Sequence, residues 1–557
     1  MSHLFFIAAW LLPNHYPPWV NFHSESLAFL GLFFLLLALF RRSSGAVVVA
    51  PTIAIVALAL AVVPWLQYAT GLVFYVGDAF MSSFYGVGLA IAIAVGYTHG
   101  SPRGVTDTGA WLFPAQVMLA AALVSSLLAV LQWLSLSDVL STFVAVTNIG
   151  DRAMANLGQP NQLGTLLLMG LAALVLLFEL AKISQLLLIL GFAFLTWGIV
   201  LTESRTAMLS ALVMAGFLLY KSRVRRLLGM PLRLRAVYVW VWLVGFGLAV
   251  ASFPLVNSAL LLANERDIGL FDDNSRAVIW LQTLPAIYQS PWLGYGWNQT
   301  PVAQAVGVLH HPGQLAVTNA HNIVLDLFAW VGVPLGSLIT AGFVYWLYLR
   351  LKAVQSTEAI GAMVMLLPVL VHSLLEFPFA YAYFLLIAGL LIGVVEAACV
   401  TKTPYLVPRR TVALALVVFG AVGAYSAYEY LLVEEDYRVA RFENLRVGTT
   451  PADYVRPEIL VHTQLAALLT ALRQPATRGM DSLQMERLRK TSLRFGQRPL
   501  VFRYAVALGL NGEPAAADRQ MQVFRGMFGE RAYQRFKTEI RTLQAEKYPE
   551  LELLRLP

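Results

Sequence analysis

The chain has 557 residues, 58% of them hydrophobic, with a mean hydropathy of +0.68 and a formal net charge of +8. Long apolar runs recur between short charged segments, and a hydrocarbon core about 30 Å thick takes roughly 20 helical residues to cross, so an ordinary water-soluble globule is excluded. A single cysteine, Cys399, excludes an internal disulfide framework and a cysteine-based zinc site; basic connecting segments explain the positive charge through membrane orientation, without nucleic acid.

In chain order, Leu4–Leu12 is apolar but too short to cross. It reads as a first helix cut short or as an interfacial segment, and it lacks the basic start and small-residue cleavage site of a signal peptide. Spans are expected at 26–40, 46–65, 79–97, 110–132, 160–178, 184–202, 206–221, 237–256, 322–349, 358–375, 378–398 and 411–432. The fold class is therefore an all-α polytopic membrane protein with about 12–13 transmembrane helices. Residues 433–557 hold 20 Lys and Arg and 15 Asp and Glu, half of all charged side chains. A helical domain outside the membrane is expected there, attached to a membrane body over 1–432 that includes a loop at about 257–321.

Lys and Arg alternate between connections. One face carries Arg41, Arg42, Arg103, Lys182, Lys221, Arg223, Arg225, Arg226, Arg233, Arg235, Arg350, Lys352, Lys402, Arg409 and Arg410. That face is cytoplasmic by the positive-inside rule. Before the last span the opposite face carries only Arg152, Arg205, Arg266 and Arg276. Arg152 and Arg266 read as solvated loop charges. Arg205 lies in a very short turn beside Glu203. Arg276 follows Asp272, Asp273 and Asn274, any of which could cap a helix starting there. Taken alone, Arg205 reads as a snorkelling helix-end residue and Arg276 as a first-turn surface charge.

Polar clusters gather on that same outward face. Thr318–Asn322 sets Asn319, His321 and Asn322 against the start of a long apolar helix, and imidazole is the commonest general base near neutral pH. Trp292–Gln299 is a glycine-aromatic turn suited to an interface or a sugar platform. His310 and His311 have no carboxylate or cysteine at ligand spacing, so no metal site is expected. Leu12–Glu25, with His15, is rich in His, Pro and aromatics, and Asn156–Gly164 places Gln159 and Asn161 at the mouth of a span. His372 and Glu376 lie one helical turn apart, as a functional ionisable pair or as a hydrogen bond that steadies a helix end.

Taken together, Pro13–Trp19, Asn156–Gln162, Glu203–Ala207, Asn319–Asn322 and His372–Pro378 resemble the bacterial O-oligosaccharyltransferases of PglL type, which share a membrane core with O-antigen ligases and polymerases. The resemblance covers nearly the whole chain and implies a GT-C-like ligase core at about 184–350. Gln162 stands where several relatives carry histidine. The family implies transfer of a glycan en bloc from undecaprenyl diphosphate to Ser or Thr hydroxyls of pilin or other periplasmic proteins. It would proceed with inversion and without metal or cofactor, in the inner membrane with the site and the C-terminal domain facing the periplasm. Arg205 and Arg276 would bind the diphosphate, since guanidinium groups grip phosphate bidentately. His321 would take the hydroxyl proton. His15, Gln159, Asn161, Asn319, Asn322, His372 and Glu376 would serve the acceptor or glycan.

Three alternatives stay open: an O-antigen ligase acting on lipid A-core, an O-antigen polymerase, and a transporter, although the inverted repeats common in transporters are not seen. In the C-terminal region, Arg498–Leu510 and Ala515–Phe528 flank a Gly/Pro turn, which predicts a tetratricopeptide-like hairpin, either a platform for acceptor protein or a stabilising cap.

Overall fold

The computed structural model describes residues 1–42, 48–100, 110–148, 150–262, 275–399 and 405–554. The helices run α1 Ser2–Leu11, α2 Phe22–Arg42, α3 Thr52–Leu60, α4 Val63–Ala69, α5 Val76–Gly100, α6 Phe113–Trp133, α7 Pro160–Glu179, α8 Gln185–Leu201, α9 Arg205–Leu227 and α10 Ala236–Ala259. After these come α11 Ser275–Gln289, α12 Thr300–Gly307, α13 Ile323–Ala353, α14 Thr357–Ser373, α15 Ala382–Cys399 and α16 Arg409–Leu445. The last four are α17 Thr463–Arg473, α18 Ser482–Phe495, α19 Arg498–Leu510 and α20 Pro514–Glu546. Strands β1 Val48–Ala50 and β2 Tyr405–Val407 form a short antiparallel ribbon with Val48 opposite Val407.

Among the described residues, ten segments are long and apolar enough to cross a membrane, and α1, α8 and α14 are shorter apolar helices. The expected runs 184–202 and 358–375 correspond to two of these shorter helices, each 17 residues long. The chain is thus a mostly helical, multi-pass membrane protein. The expected run 46–65 corresponds to Thr52–Ala69, one of the ten long segments, which contains a turn where α3 ends at Leu60 and α4 begins at Val63 with Pro64 in its first turn.

The chain divides into two compact units. The first comprises Met1–Leu60, Tyr85–Asp272 and Val344–Gly423. Its centre is α7, whose residues Asn161–Leu176 are all buried and which packs against α6, α8, α9 and α14. Gly170 makes the α6 contact close: a Cβ there would lie 2.3 Å from the Ala122 methyl. Serine caps start the neighbouring helices, Ser184 for α8, Ser204 for α9 and Ser356 for α14, each accepting from a backbone N–H three residues on.

The second unit comprises Ala61–Phe84, Asp273–Phe343 and Ala424–Pro557. Here α19 and α20 pair across the Gly/Pro turn, with Phe536 stacked on Phe502 and meeting Phe524 edge-on. The second arm runs beyond Phe528 to Glu546, bending at Gly529, whose φ of 78° and ψ of 172° are not helical. Ala305 of α12 and Val308 just after it join the same core.

Candidate active site

In the first unit the polar residues of the α7 mouth converge on Glu376. Gln159 caps α7 by accepting from the Gln162 N–H at 2.8 Å, and its own amide donates to one carboxyl oxygen of Glu376 at 2.5 Å. The Asn161 amide donates to the other oxygen. His372 closes the ring, with Nε2 3.4 Å from Glu376 and Nδ1 2.9 Å from the Thr165 hydroxyl. Asn161 faces α9 as well, since its carbonyl oxygen accepts from the Ser204 hydroxyl at 2.6 Å. Ser204 is the cap of α9 and Arg205 its first residue, so this one amide links the Glu376 ring to the turn that carries Arg205. Within that turn Glu203 has a φ of 47°, and the Thr202 hydroxyl accepts from the Ser204 N–H at 3.2 Å.

The same cluster reaches the N-terminal stretch. His15 Nε2 lies 2.9 Å from the Asn156 carbonyl, and Gly158, at φ 72°, rests on the His15 ring. Arg152 donates to the Thr202 carbonyl at 2.7 Å and to Asn161 at 3.3 Å. This corrects its reading as a solvated loop charge: it is a brace between the α7 mouth and the α8–α9 turn. Arg266, also read as a loop charge, and the capping candidates Asp272, Asp273 and Asn274 lie outside the described residues.

In the second unit a carboxyl again organises the site. Asp326 is fully buried in the first turn of α13. Its Oδ1 accepts from the Thr300 hydroxyl at 2.7 Å and from the Ala320 N–H at 2.8 Å, while Trp330 donates to Thr300 at 2.8 Å. Asn322 caps α13 by accepting from the N–H groups of Val324 and Leu325. Between these two anchors lies His321, half-buried, at a φ of 56° that non-glycine residues seldom adopt. Asn319 is buried beside it. Arg276 is half-buried in the first turn of α11, a helix held close to α12 where Gly307 meets the Gln282 carbonyl.

The structure thus brings together Gln159, Asn161, His372, Glu376 and His15 in one unit, and Asn319, His321 and Asn322 in the other. Arg205 belongs to the first unit, Arg276 to the second. Sequence reasoning missed Arg152, Thr165, Ser204, Thr300 and Asp326 as supporting residues. An acid four positions after a helix cap in an otherwise apolar helix was the available signal for Asp326.

Family models match along this arrangement: a protein glycosylation ligase over residues 153–178, an O-antigen ligase over 190–340, and the C-terminal part of a virulence-factor membrane-bound polymerase over 360–541. A general O-oligosaccharyltransferase of Acinetobacter baylyi is 32% identical over 496 residues, which cover 86% of this chain and 84% of the relative. The chain belongs to the O-oligosaccharyltransferase family. It is accordingly a glycosyltransferase of the membrane. A ComP-specific O-oligosaccharyltransferase of the same organism is 29% identical over 406 residues, 71% of this chain and 70% of that relative. In this oligosaccharyltransferase the glycosylation-ligase match contains Gln159 and Asn161, the O-antigen-ligase match contains Arg205, Arg276 and His321, and the third contains His372 and Glu376.

Proposed function

We propose that this glycosyltransferase moves a glycan en bloc from undecaprenyl diphosphate to Ser or Thr hydroxyls of periplasmic proteins such as pilin. The likeness to a general O-oligosaccharyltransferase over most of both chains carries the reading. In the reaction the acceptor oxygen attacks the anomeric carbon, its proton passes to His321, and the glycosidic C–O electron pair leaves with the lipid diphosphate. A single displacement of this kind inverts the anomeric centre.

Each role rests on chemistry. Arg205 and Arg276 bind the diphosphate and offset the charge that develops as the bond breaks. They supply the charge that a divalent cation would otherwise supply, so the reaction is read as metal-independent and persists in excess chelator. His321 acts as the base because the Asp326 and Asn322 anchors fix its backbone. The ring of Gln159, Asn161, His372 and Glu376, with His15, Asn319 and Asn322, serves the acceptor or the glycan. The basic connections support a cytoplasmic side opposite the site, hence an inner-membrane enzyme working at the periplasmic face. The membrane body over 1–432 would be a GT-C-like ligase, and the region 433–557 a tetratricopeptide-like platform for acceptor protein.

Transfer from a lipid-linked glycan to an acceptor protein in proteoliposomes tests the assignment. His321→Ala should lose the 10²- to 10⁴-fold typical of general-base catalysis while still binding the lipid-linked glycan; full activity would remove His321 from the mechanism. The O-antigen-ligase match over 190–340 favours a second reading, glycan transfer to lipid A-core. Deleting the gene separates the two. Loss of glycan mass from periplasmic proteins supports the first, and loss of the lipopolysaccharide ladder the second.

A further inference from the structure

Helix α11 and the turn after it lie in a stretch whose sequence reads as an extramembrane loop, yet their surface is not that of a solvated loop. One side of α11 is buried, with Ile279, Gln282, Thr283 and Ala286 turned toward its own unit. The other side carries Leu281, Leu284 and Tyr288 at helical spacing, continued by Trp292 and Leu293 just beyond the helix end, all exposed. Tyr288 is 86% exposed and Trp292 75%. Arg276 is the only charged side chain between Ser275 and Trp292. Large aromatics this exposed, in a stretch of chain with so little charge, mark a surface that meets something apolar.

The depth of this stripe along the neighbouring span identifies what it meets. The turn is bonded to the break in α13: the Tyr295 N–H donates to Ala329 at 2.7 Å, Gly296 to Trp330 at 3.1 Å, and Val333 to Pro291 at 2.7 Å. Gln67 donates to Trp330 at 2.8 Å from the other side. The approach is so close that a Cβ on Gly332 would lie 2.3 Å from the Trp292 carbonyl and one on Gly294 2.5 Å from the Ala329 carbonyl. Val333–Leu349 contains no charged side chain and ends at Arg350. Counted back from Arg350, the roughly 20 residues that cross a hydrocarbon core reach Trp330. The turn is therefore fastened at the level where the span leaves the hydrocarbon. Tryptophan and tyrosine concentrate at that level, and backbone carbonyls opened by a helix break there need protein donors.

We infer that the Leu281–Leu284–Tyr288–Trp292–Leu293 surface is a membrane-docking face, seated on the acyl chains of the leaflet where α13 ends. It makes α11 an interfacial helix, with Arg276 carried at its start on the polar side of that leaflet. This placement is independent of the chemistry assigned to His321.

The test uses the full chain in lipid nanodiscs with Cys399→Ser as background. Nitroxide labels go on Tyr288→Cys and Trp292→Cys, with Leu338→Cys, an exposed position in the α13 span, as the lipid control and His310→Cys, an exposed loop position, as the water control. Positions 288 and 292 should behave like 338, with collisions favouring oxygen over a water-soluble nickel chelate several-fold more than at 310. Nickel access equal to that at 310 overturns the inference. So does protection that appears only when acceptor protein is added, or spin–spin broadening that reports a second copy of the chain. Because labels can perturb, quenching of native fluorescence by brominated lipids is compared with Trp292→Phe. The quenched fraction should fall in the variant, and an unchanged fraction also overturns the inference.

Discussion

Each unit builds its polar centre around one buried carboxyl, and the two do so with different donors. Glu376 in the first unit is held by side-chain amides from residues 217 and 215 positions away. Asp326 in the second is held by a backbone N–H six positions away and a hydroxyl 26 away, both on the same oxygen. The first arrangement exists only once α7 and α14 have packed, and it depends on the identity of each donor. The second is nearly local, and its backbone donor is present whatever residue stands at 320. The Glu376 ring therefore acts as a clasp between helices, and Asp326 as a brace for one loop.

The isosteric amides break this comparison most directly. Glu376→Gln has one acceptor oxygen where two amide donors need one each, so an NH₂ faces an NH₂. A buried donor left without an acceptor costs about 1–3 kcal/mol. Glu376→Gln should fall almost as far as Glu376→Ala in thermal unfolding and in transfer rate. Asp326→Asn keeps the single oxygen that serves both Thr300 and Ala320 and buries one unpaired amide donor in place of the other oxygen. It should lose about 1–3 kcal/mol and fall less far than Glu376→Gln, which strands two donors. Asp326→Ala strands both donors, and should lose stability by a similar amount per donor while its transfer rate falls toward that of His321→Ala. Equal tolerance of Glu376→Gln and Asp326→Asn would erase the distinction between the two regions.

Arg152→Ala is a smaller perturbation. The side chain is half-buried and water can replace part of what it donates, so about 1 kcal/mol is expected. Its effect should be partly absorbed in an Asn161→Ala background, where one acceptor is already gone while the Thr202 carbonyl remains. A double-mutant cycle on unfolding midpoints reads this directly, and simple additivity would place Arg152 outside the ring.

What the sequence made legible follows the same division between local and remote. Apolar runs are local, so 160–178 anticipates α7 to within one residue and 206–221 anticipates the apolar part of α9, which continues through a basic stretch to Leu227. The hairpin of α19 and α20 was signalled by Asn511–Pro514, also local. The break in α13 at Gly332 was not legible, because the groups that satisfy its carbonyls are Tyr295, Gly296 and Gln67, distant in the chain. Arg152 was misread for the same reason: its acceptors are a carbonyl at Thr202 and an amide at Asn161, and hydropathy marks neither. His321 stood out as an imidazole at a helix mouth, whereas the left-handed backbone that sets its direction appears only in three dimensions.

A last expected effect, a dependence on pH rather than a fixed loss, probes backbone anchoring elsewhere in the second unit. The Glu429 carboxyl accepts from the successive N–H groups of Leu460, Val461 and His462 at 2.5, 2.9 and 2.7 Å. This fixes the His462 ring in a fully buried position, with Nε2 3.0 Å from the Ser426 carbonyl. Burial lowers the His462 pKa below its usual 6.5, against the opposing pull of the Ser426 bond and the Glu429 charge. An unfolded chain therefore takes up a proton as pH falls through 6.5 while the folded chain does not, so stability declines from there down to the folded pKa. The slope from one such group approaches about 1.4 kcal/mol per pH unit at most. Carboxylates such as Glu486, held low by its bond to Arg489, lose their contribution only below 4.5, so the two sources separate in pH. His462→Gln retains an amide donor for Ser426 and removes the titration. Unfolding midpoints measured from pH 7.5 to 5 should therefore fall less steeply in His462→Gln than in the parent chain, and parallel curves would show that the buried imidazole contributes nothing to acid sensitivity.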